Sequence, residues 1–319
     1  MTSAHPFRFG VFAESVRSPS ALLEIARRAE GEGFSTFLMR DHFIAEHFGD
    51  QMAPLATLAT VAAVTKELRI GSLVFCNDYR HPVMLAKEVA TLDVLSEGRF
   101  ELGLGAGFSR REYEQAGLEF DGARVRVQRL GETVQILKGL FLAEPFDFTG
   151  EHYRVRDLRS FPTPVQRPHP PILVAGTSTR MLSLAAAEAD ILGFQTVATA
   201  TGAVVQDPRF RMAETVQQKL DQLKQAAGER FGKIELSMTA SVIVSDDRRG
   251  EAERFARARA WAGVSADEVL KMPSVFIGSV ETIIDEMRAR RESYGFSYFV
   301  IHDRALADAA PVVARLAGK

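Results

Sequence analysis

Apolar and polar positions along the chain switch between two periods, one typical of strands and one typical of amphipathic helices. Residues 7–14 form a short apolar run, and residues 19–34 then place their apolar side chains on one helical face. The same alternation continues to the end of the chain. We predict eight strands, at residues 7–14, 35–42, 68–77, 99–107, 170–176, 191–197, 234–245 and 297–303.

A helical pattern follows each predicted strand, which favours a (β/α)8 TIM barrel, an α/β fold. A doubly wound sheet would divide the 319 residues into two domains, and no low-complexity linker marks such a division. We therefore expect a single domain spanning residues 1–319. Two irregular segments, at about 146–170 and about 198–210, are interpreted as insertions that cover the pocket, the first of them as a small hairpin.

Composition and charge narrow the class of protein. The formal charge of −2 argues against a surface for nucleic acid or anionic membrane, which would need clustered Lys and Arg. The lone cysteine, Cys76, has no partner for an internal disulfide. No apolar run reaches the ~20 residues that span a bilayer, and the first residues lack the order of a signal peptide. We expect a cytoplasmic protein that acts on a small molecule.

The active site of a TIM barrel lies at the carboxyl ends of its strands, so the predicted strand ends become the candidate site. Asp41 and His42 end the second strand, and His is the side chain whose proton moves most readily near neutral pH. His42 is the candidate catalytic residue, although an ion pair or a loop hydrogen bond would also explain these two residues. Glu14 and Asp303 are further carboxylates at strand ends, without assigned roles.

Three glycines, Gly103, Gly105 and Gly107, end the fourth strand with the spacing G-x-G-x-G. The dinucleotide fingerprint is G-x-G-x-x-G opening directly into a helix, so this spacing argues against a Rossmann site. Two interpretations stay open and are compatible with each other. The glycines let the strand end pack closely, or they let a flat ring lie against bare backbone.

Residues 174–181 join the fifth strand to a helix through Gly176, Thr177 and Ser178. The free N–H groups and partial positive charge of a helix N-terminus favour phosphate, whereas the hydroxyls also suit ordinary N-capping. The sequence does not separate these two roles. Cys76 at the third strand end is interpreted as a small buried side chain. No His, Asp, Glu or Cys cluster has the spacing of a metal site, so we expect no metal.

Four segments taken together resemble the bacterial luciferase-like superfamily, and within it the oxidoreductases that use coenzyme F420. They are Asp41–His42, RIGSLVFCNDYRHP at residues 69–82, SEGRFELGLGAGF at residues 96–108 and PPILVAGTS at residues 170–178. The resemblance implies a TIM barrel with insertions, F420 or alternatively FMN as cofactor, and a homodimer. It also implies a reductase or dehydrogenase that transfers a hydride between the deazaflavin and a small organic substrate.

The resemblance also assigns roles to individual residues. His42 matches a histidine near the reactive face of the ring, where it would donate a proton or orient the substrate. A non-proline cis peptide would back the ring at Leu73–Val74 or at Ser72–Leu73, and the loop after the fifth strand would hold the phosphate. The implied cofactor-binding residues are Asp41, Leu73, Val74, Cys76, Gly105, Ala106, Gly107, Ala175, Gly176, Thr177 and Ser178.

One departure from the superfamily pattern bears on the substrate. Its sugar-phosphate dehydrogenases carry a glutamate just after the strand-four glycines, where this chain has Phe108. We therefore expect an apolar pocket rather than a sugar-phosphate site. The alternative functions are an FMN-dependent two-component monooxygenase and a non-enzymatic flavin-binding barrel. A lyase that forms a Schiff base would need a lysine at a strand end, and the predicted strand ends have none.

Overall fold

The computed structural model describes residues 5–14, 18–46, 48–197, 199 and 202–319 of the chain. Its strands include all eight that the sequence predicts. In chain order the strands are β1 (Arg8–Phe12), β2 (Thr36–Met39), β3 (Arg69–Ser72), β4 (Phe75–Cys76), β5 (Phe100–Gly105), β6 (Phe146–Thr149), β7 (Arg154–Leu158), β8 (Ile172–Ala175), β9 (Ile191–Phe194), β10 (Glu235–Val244), β11 (Val275–Gly278) and β12 (Phe296–His302).

Eight of these strands form a closed parallel barrel in the order β1, β2, β3, β5, β8, β9, β10 and β12. β12 pairs with β1, and β10 pairs with both β9 and β12, which completes the circle. The predicted TIM barrel is therefore confirmed. Because the strands are parallel, their carboxyl ends meet at one end of the barrel, here called the mouth.

Helices cover the outside of the barrel. Proline stands in the first turn of three of them, where its fixed φ and missing N–H suit a helix start. The helices are α1 (Pro19–Gly31), α2 (Pro54–Val64), α3 (Pro82–Leu95), α4 (Arg110–Ala116), α5 (Ala123–Leu140), α6 (Thr179–Glu188), α7 (Ala213–Ala227), α8 (Arg248–Ala258), α9 (Ala266–Lys271), α10 (Val280–Tyr294) and α11 (Leu306–Leu316).

The third predicted strand is divided by a bulge at residues 73–74. β3 pairs with β2 and with the start of β5, and β4 then pairs with the end of β5. The peptide bond Leu73–Val74 between them is cis, which settles the choice between the two placements that the resemblance allowed. The bulge lies at the mouth because β4 pairs with Leu104 and Gly105, the last residues of β5.

The sequence did not predict two short elements near the mouth. β11 pairs with the outer half of β10, from Ser241 opposite Val275 onward, beyond the part of β10 that belongs to the barrel. Its four residues are all buried, so they carry no alternating pattern that would distinguish a strand. The helix α4 has seven residues and directly follows the glycine-rich end of β5.

The two irregular segments differ in structure. In residues 146–170, β6 and β7 form an antiparallel hairpin beside the barrel. The second segment, about 198–210, is described only in part, since residues 198, 200 and 201 lie outside the described residues. Its described end forms a 3₁₀ turn, Pro208–Arg211, that leads into α7.

A charged network fills the amino-terminal end of the barrel, opposite the mouth. The Arg8 guanidinium lies 2.6 Å from the carboxylates of both Glu101 and Glu235, and Arg69 lies 2.7 Å from Glu101. Arg8 also lies over the ring of Tyr298, 4.0 Å from its centroid. Buried charges of this kind are stable only when paired, and here each carboxylate has an arginine partner.

Candidate active site

A cavity of about 350 Å³ opens at the mouth of the barrel. Its lining contains His42, the candidate catalytic residue, and all eleven residues that the resemblance implies for cofactor binding. Together these are Asp41, His42, Leu73, Val74, Cys76, Gly105, Ala106, Gly107, Ala175, Gly176, Thr177 and Ser178. The structure therefore brings them together in one place, while their roles toward a cofactor stay predictions.

Gly103 and Gly105 allow β5 to pack against the bulge. A Cβ on Gly103 would stand 1.9 Å from the Ser72 carbonyl oxygen, and one on Gly105 would stand 2.6 Å from a Val74 methyl group. The Ser72 hydroxyl also bonds the Gly103 backbone, donating to its carbonyl at 2.8 Å. The space that these glycines leave is thus filled by the protein itself. The close-packing interpretation applies here, and ring contact by Gly105 stays a prediction.

Gly107 makes room for a tyrosine and a cysteine. Its φ is +75°, and a Cβ there would stand 2.0 Å from the Tyr113 hydroxyl and 2.9 Å from the Cys76 sulfur. The Cys76 sulfur lies 3.3 Å from the same hydroxyl, which donates to Asp78 at 3.0 Å. Burial raises the pKa of the Cys76 thiol to about 12. Cys76 therefore stays a neutral thiol in the wall of the cavity. This agrees with its interpretation as a small buried side chain.

The carboxylate of Asp41 is bound by the protein itself. It accepts hydrogen bonds from Arg80 at 2.5 Å and 3.2 Å and from the backbone N–H of Cys76 at 3.1 Å. Asp41 is 4% exposed, so the Arg80 charge is what keeps the buried carboxylate stable. Through the bond from the Cys76 N–H, Asp41 fixes the backbone of β4 beside the bulge. A direct contact between Asp41 and a cofactor remains a prediction.

His42 is held by a glutamate that the sequence reasoning missed. The Nδ1 atom of His42 lies 2.9 Å from Glu112, a residue of α4 that also lines the cavity. The same carboxylate accepts from the backbone N–H groups of Phe43 at 2.7 Å and Ile44 at 3.3 Å, and from the Tyr79 hydroxyl at 3.3 Å. These bonds tie the loop after β2 to α4. The ion pair or loop hydrogen bond that the sequence left open is thus present, and both of its partners line the cavity.

A sequence signal for Glu112 did exist. Ser109 and Glu112 have the S-x-x-E spacing of a capping box, which predicts a helix starting at residue 110. In the structure α4 begins there, but the Ser109 side chain makes no capping hydrogen bond. The glutamate binds His42 and the backbone after β2 instead. The motif was thus an unused signal for a helix that the strand and helix periods did not predict, and only the fold could show what its glutamate contacts.

The surroundings of the pair favour a charged Glu112. Burial by itself would raise the pKa of the Glu112 carboxyl, but the hydrogen bonds from His42 and from the Phe43 and Ile44 backbone outweigh it and lower that pKa. The ring of His42 packs against Phe48 and Phe108, with centroid distances of 4.9 Å and 5.7 Å. An ionised carboxylate thus orients an imidazole that also packs against two aromatic rings.

The start of α6 lies at another part of the cavity. The Ser178 hydroxyl accepts from the Met181 N–H at 3.3 Å and caps the helix, and the Thr177 hydroxyl donates to the Gln195 carbonyl at 3.2 Å. The capping interpretation is therefore confirmed for Ser178. Lys219, from the neighbouring α7, lines the same cavity and adds a positive charge that the sequence reasoning did not identify. Phosphate binding by this group stays a prediction.

The structure also bears on metal binding and on membrane insertion. Within the described ranges, no group of three or more His, Cys, Asp or Glu side chains is placed to hold a metal ion. In the same part of the chain, no helix combines the length and apolar character that crossing a membrane requires.

The family follows from a comparison with known proteins. Residues 2–292 match the model of the luciferase-like monooxygenase family. The chain belongs to this family. The matched range includes every residue that lines the cavity.

Several curated relatives are similar to part of the chain. An F420-dependent glucose-6-phosphate dehydrogenase of Amycolatopsis mediterranei is 33% identical over 161 residues, 50% of this chain and 48% of the relative. An F420-dependent hydroxymycolic acid dehydrogenase of Mycobacterium tuberculosis is 36% identical over 168 residues, 51% and 46% respectively. An FMNH2-dependent dimethylsulfone monooxygenase of Pseudomonas putida is 29% identical over 168 residues, 52% and 46%. The chain thus spans about half the length of the curated relatives it matches.

Solved structures share the whole fold. An F420-dependent secondary alcohol dehydrogenase, solved with an F420-acetone adduct, superposes with a TM-score of 0.76 at 20% identity, covering 98% of this chain and 99% of that one. At this identity the similarity establishes the fold alone. These relatives are oxidoreductases, some named for F420 and one for reduced FMN.

Proposed function

We propose that the chain is an F420-dependent reductase or dehydrogenase that transfers a hydride between the deazaflavin and a small, largely apolar organic substrate. The observation that carries the proposal is the His42–Glu112 pair, 2.9 Å apart, in the wall of a cavity bounded by the bulge at residues 73–74. Two F420-dependent dehydrogenases among the relatives, at 33% and 36% identity, support the cofactor.

The residues around the cavity fit such a cofactor. The volume of about 350 Å³ is in the range of small-molecule pockets, about 300–1,000 Å³. Leu73 and Val74 offer an apolar wall for a flat ring. The start of α6 with Thr177 and Ser178, together with Lys219, offers N–H donors and positive charge for a phosphate. These groups would hold the two chemically different ends of one elongated ligand.

His42 would handle the proton that accompanies the hydride. A bound deazaflavin supplies two-electron hydride chemistry, and the protein supplies position and polarity. Because Nδ1 donates to the Glu112 carboxylate, Nε2 is the ring atom that takes a proton from a substrate hydroxyl or returns one to a substrate carbonyl. The negative charge of Glu112 stabilises the imidazolium that forms when Nε2 takes the proton.

The lining of the cavity favours an apolar substrate. Phe108 stands where sugar-phosphate dehydrogenases of the superfamily carry a glutamate, and its ring packs edge-on against His42. Phe194 and Phe210 also line the cavity. A substrate rich in hydroxyl groups would leave them unpaired against these rings, which is costly in a buried site. A secondary alcohol or a ketone with apolar substituents would pack against these rings and would offer one oxygen to His42.

A fluorescence titration of the purified chain with F420 and with FMN tests the proposal. We expect F420 to bind at least about tenfold more tightly, equivalent to about 1.4 kcal/mol. A preference for FMN would contradict the proposal and favour the monooxygenase alternative, which one FMNH2-dependent relative represents. Binding of F420 without turnover of any alcohol or ketone would contradict the dehydrogenase activity and favour a flavin-binding barrel.

A further inference from the structure

Two arginines lie against the one tryptophan of the chain, outside the cavity lining. The guanidinium carbons of Arg211 and Arg259 are each 5.7 Å from the centroid of the Trp261 ring. Arg259 also lies 3.5 Å from the ring centroid of Phe255. Arg211 ends the 3₁₀ turn before α7, and Arg259 directly follows α8. Two segments distant in sequence thus place two cations on one aromatic platform.

Neither arginine has a counter-charge in the part of the chain that the structure describes. Arg211 donates to the Ser274 hydroxyl at 3.4 Å and Arg259 to the Phe255 carbonyl at 3.2 Å, and both partners are neutral. The buried Nε atom of Arg211 has no hydrogen-bond partner among the described residues. The remaining positions, 1–4, 15–17, 47, 198, 200 and 201, contain no Asp or Glu, so they cannot supply a carboxylate.

The positive charges of Arg211, Arg259 and Arg304 repel one another. Burial and, to a smaller extent, the charge of Arg259 lower the pKa of Arg211 to about 10. Burial also lowers the pKa of Arg259, with a second contribution from Arg304. Partly buried like charges cost free energy unless an opposite charge joins them. The arrangement is therefore one that a bound anion would stabilise.

The arginine pair stands beside the cavity. Phe210, next to Arg211 in sequence, lines the cavity, as does Thr215 in the first turn of α7. On the other side, Arg304 hydrogen-bonds Glu14 at 3.2 Å, and Glu14 pairs with Arg40 of the cavity lining at 3.0 Å. A ligand that extends out of the cavity on this side would bring its outer end to the two arginines.

We propose that Arg211, Arg259 and Trp261 form an anion-binding site for a carboxylate or phosphate group. Guanidinium groups bind such oxyanions through paired N–H donors, and both arginines have N–H groups that bind no acid in the protein. The group belongs to the outer end of a ligand seated in the cavity. Its source is either the acidic end of the cofactor, a case that rests on the function proposed above, or an acid group at the outer end of a substrate whose reacting part is apolar.

Because Trp261 is the one tryptophan, its fluorescence reports directly on the site. Inorganic phosphate and, separately, glutarate are titrated into the chain while Trp261 emission is followed. We expect a saturable change with each anion. Arg211→Met and Arg259→Met should each weaken the binding at least about tenfold, since a hydrogen bond to a charged group is worth more than that.

Arg257→Met is the matched control, because Arg257 lies in α8, is exposed and pairs with Glu253 at 3.9 Å. It should leave the titration unchanged, and thermal unfolding of each variant shows whether it is folded. Absence of a saturable change in the parent would overturn the proposal. So would equal affinities of the parent and both folded arginine variants.

The source of the anion is tested with F420 and with a form of F420 that lacks its glutamate residues. If Arg211→Met weakens binding of F420 but not of the shortened form, the cofactor supplies the acid group. If both forms bind the variant and the parent equally, the site serves an acidic substrate. If F420 does not bind at all, the proposed function fails, while the phosphate and glutarate titrations still decide the anion site.

Discussion

Two sides of the barrel mouth differ in whether their charged side chains have partners of opposite charge. Beside β2, β5 and α4, the carboxylates of Asp41 and Glu112 are bound by Arg80, by His42 and by backbone N–H groups. Beside α8 and the turn before α7, Arg211 and Arg259 share an indole, and the described residues offer them neutral partners only.

On the first side, hydrogen bonds within the protein already fix the side chains. On the second side, the arginines need a ligand to supply the opposite charge. A side chain fixed by several hydrogen bonds can act on a bound molecule without rearranging, which is how catalytic groups gain their effect. A pair of like charges without a counter-ion gains most when a ligand brings one. We infer that chemistry takes place on the first side, and that the second side contributes to recognition.

Replacement of His42 by alanine should have the largest effect. We expect turnover to fall by about 10²–10⁴-fold, the usual contribution of a proton-transfer group. The affinity for F420 should change little, because the predicted ring and phosphate contacts come from other residues. Steady-state kinetics and a fluorescence titration on one preparation measure both quantities.

His81→Ala provides the control for this prediction, since His81 is an exposed histidine at the start of α3. It should keep the parental turnover. Unchanged turnover in His42→Ala would remove the first side of the mouth from the chemistry and so break the comparison between the two sides.

The sequence was sufficient for the scaffold and for the strand-end residues of the site. Strand and helix periods repeat along a barrel, and its carboxyl ends define the mouth. The sequence therefore places Asp41, His42 and the segment 175–178 together, and all of them line the cavity. The resemblance then located the cis peptide to within one residue.

The partners of these residues could not be predicted in the same way. Glu112 meets His42 across 70 positions of sequence, and that contact depends on the direction in which a seven-residue helix leaves β5. Arg211 and Arg259 meet at Trp261 through an irregular turn and a helix end, neither of which has a period. Side-chain pairs between separate segments arise from tertiary packing, which local patterns do not encode.

Gly107→Ala tests how tightly the first side of the mouth is built, with Gly117→Ala as its matched control. Both glycines have positive φ, +75° and +69°, but a Cβ would meet the Tyr113 hydroxyl at 2.0 Å in the first and nothing within 4 Å in the second. We expect Gly117→Ala to cost about 1 kcal/mol for the left-handed backbone. Gly107→Ala should cost about 3 kcal/mol, because overpacking adds to that strain.

Urea unfolding of both variants measures the two costs. Turnover should also fall in Gly107→Ala, since Tyr113 stands next to Glu112 in α4 and its displacement would loosen the support of His42. Equal stability losses in the two variants would show that Tyr113 moves aside at little cost. The first side of the mouth would then be less rigid than the comparison requires.

The smallest expected effect is the pH dependence that Glu112 confers on stability. Its pKa is lowered in the folded chain, so its contribution is fully present above its unfolded pKa of about 4.3 and is lost as the pH falls through the lower folded value. Parent and Glu112→Gln should therefore differ by about 1 kcal/mol in free energy of unfolding at about pH 6, and the difference should shrink toward about pH 3.

Glu114→Gln, at an exposed position of the same helix, should show no such change. A difference that stays constant as the pH falls would mean that Glu112 is not held as a carboxylate, and that the first side of the mouth lacks the fixed charge assigned to it.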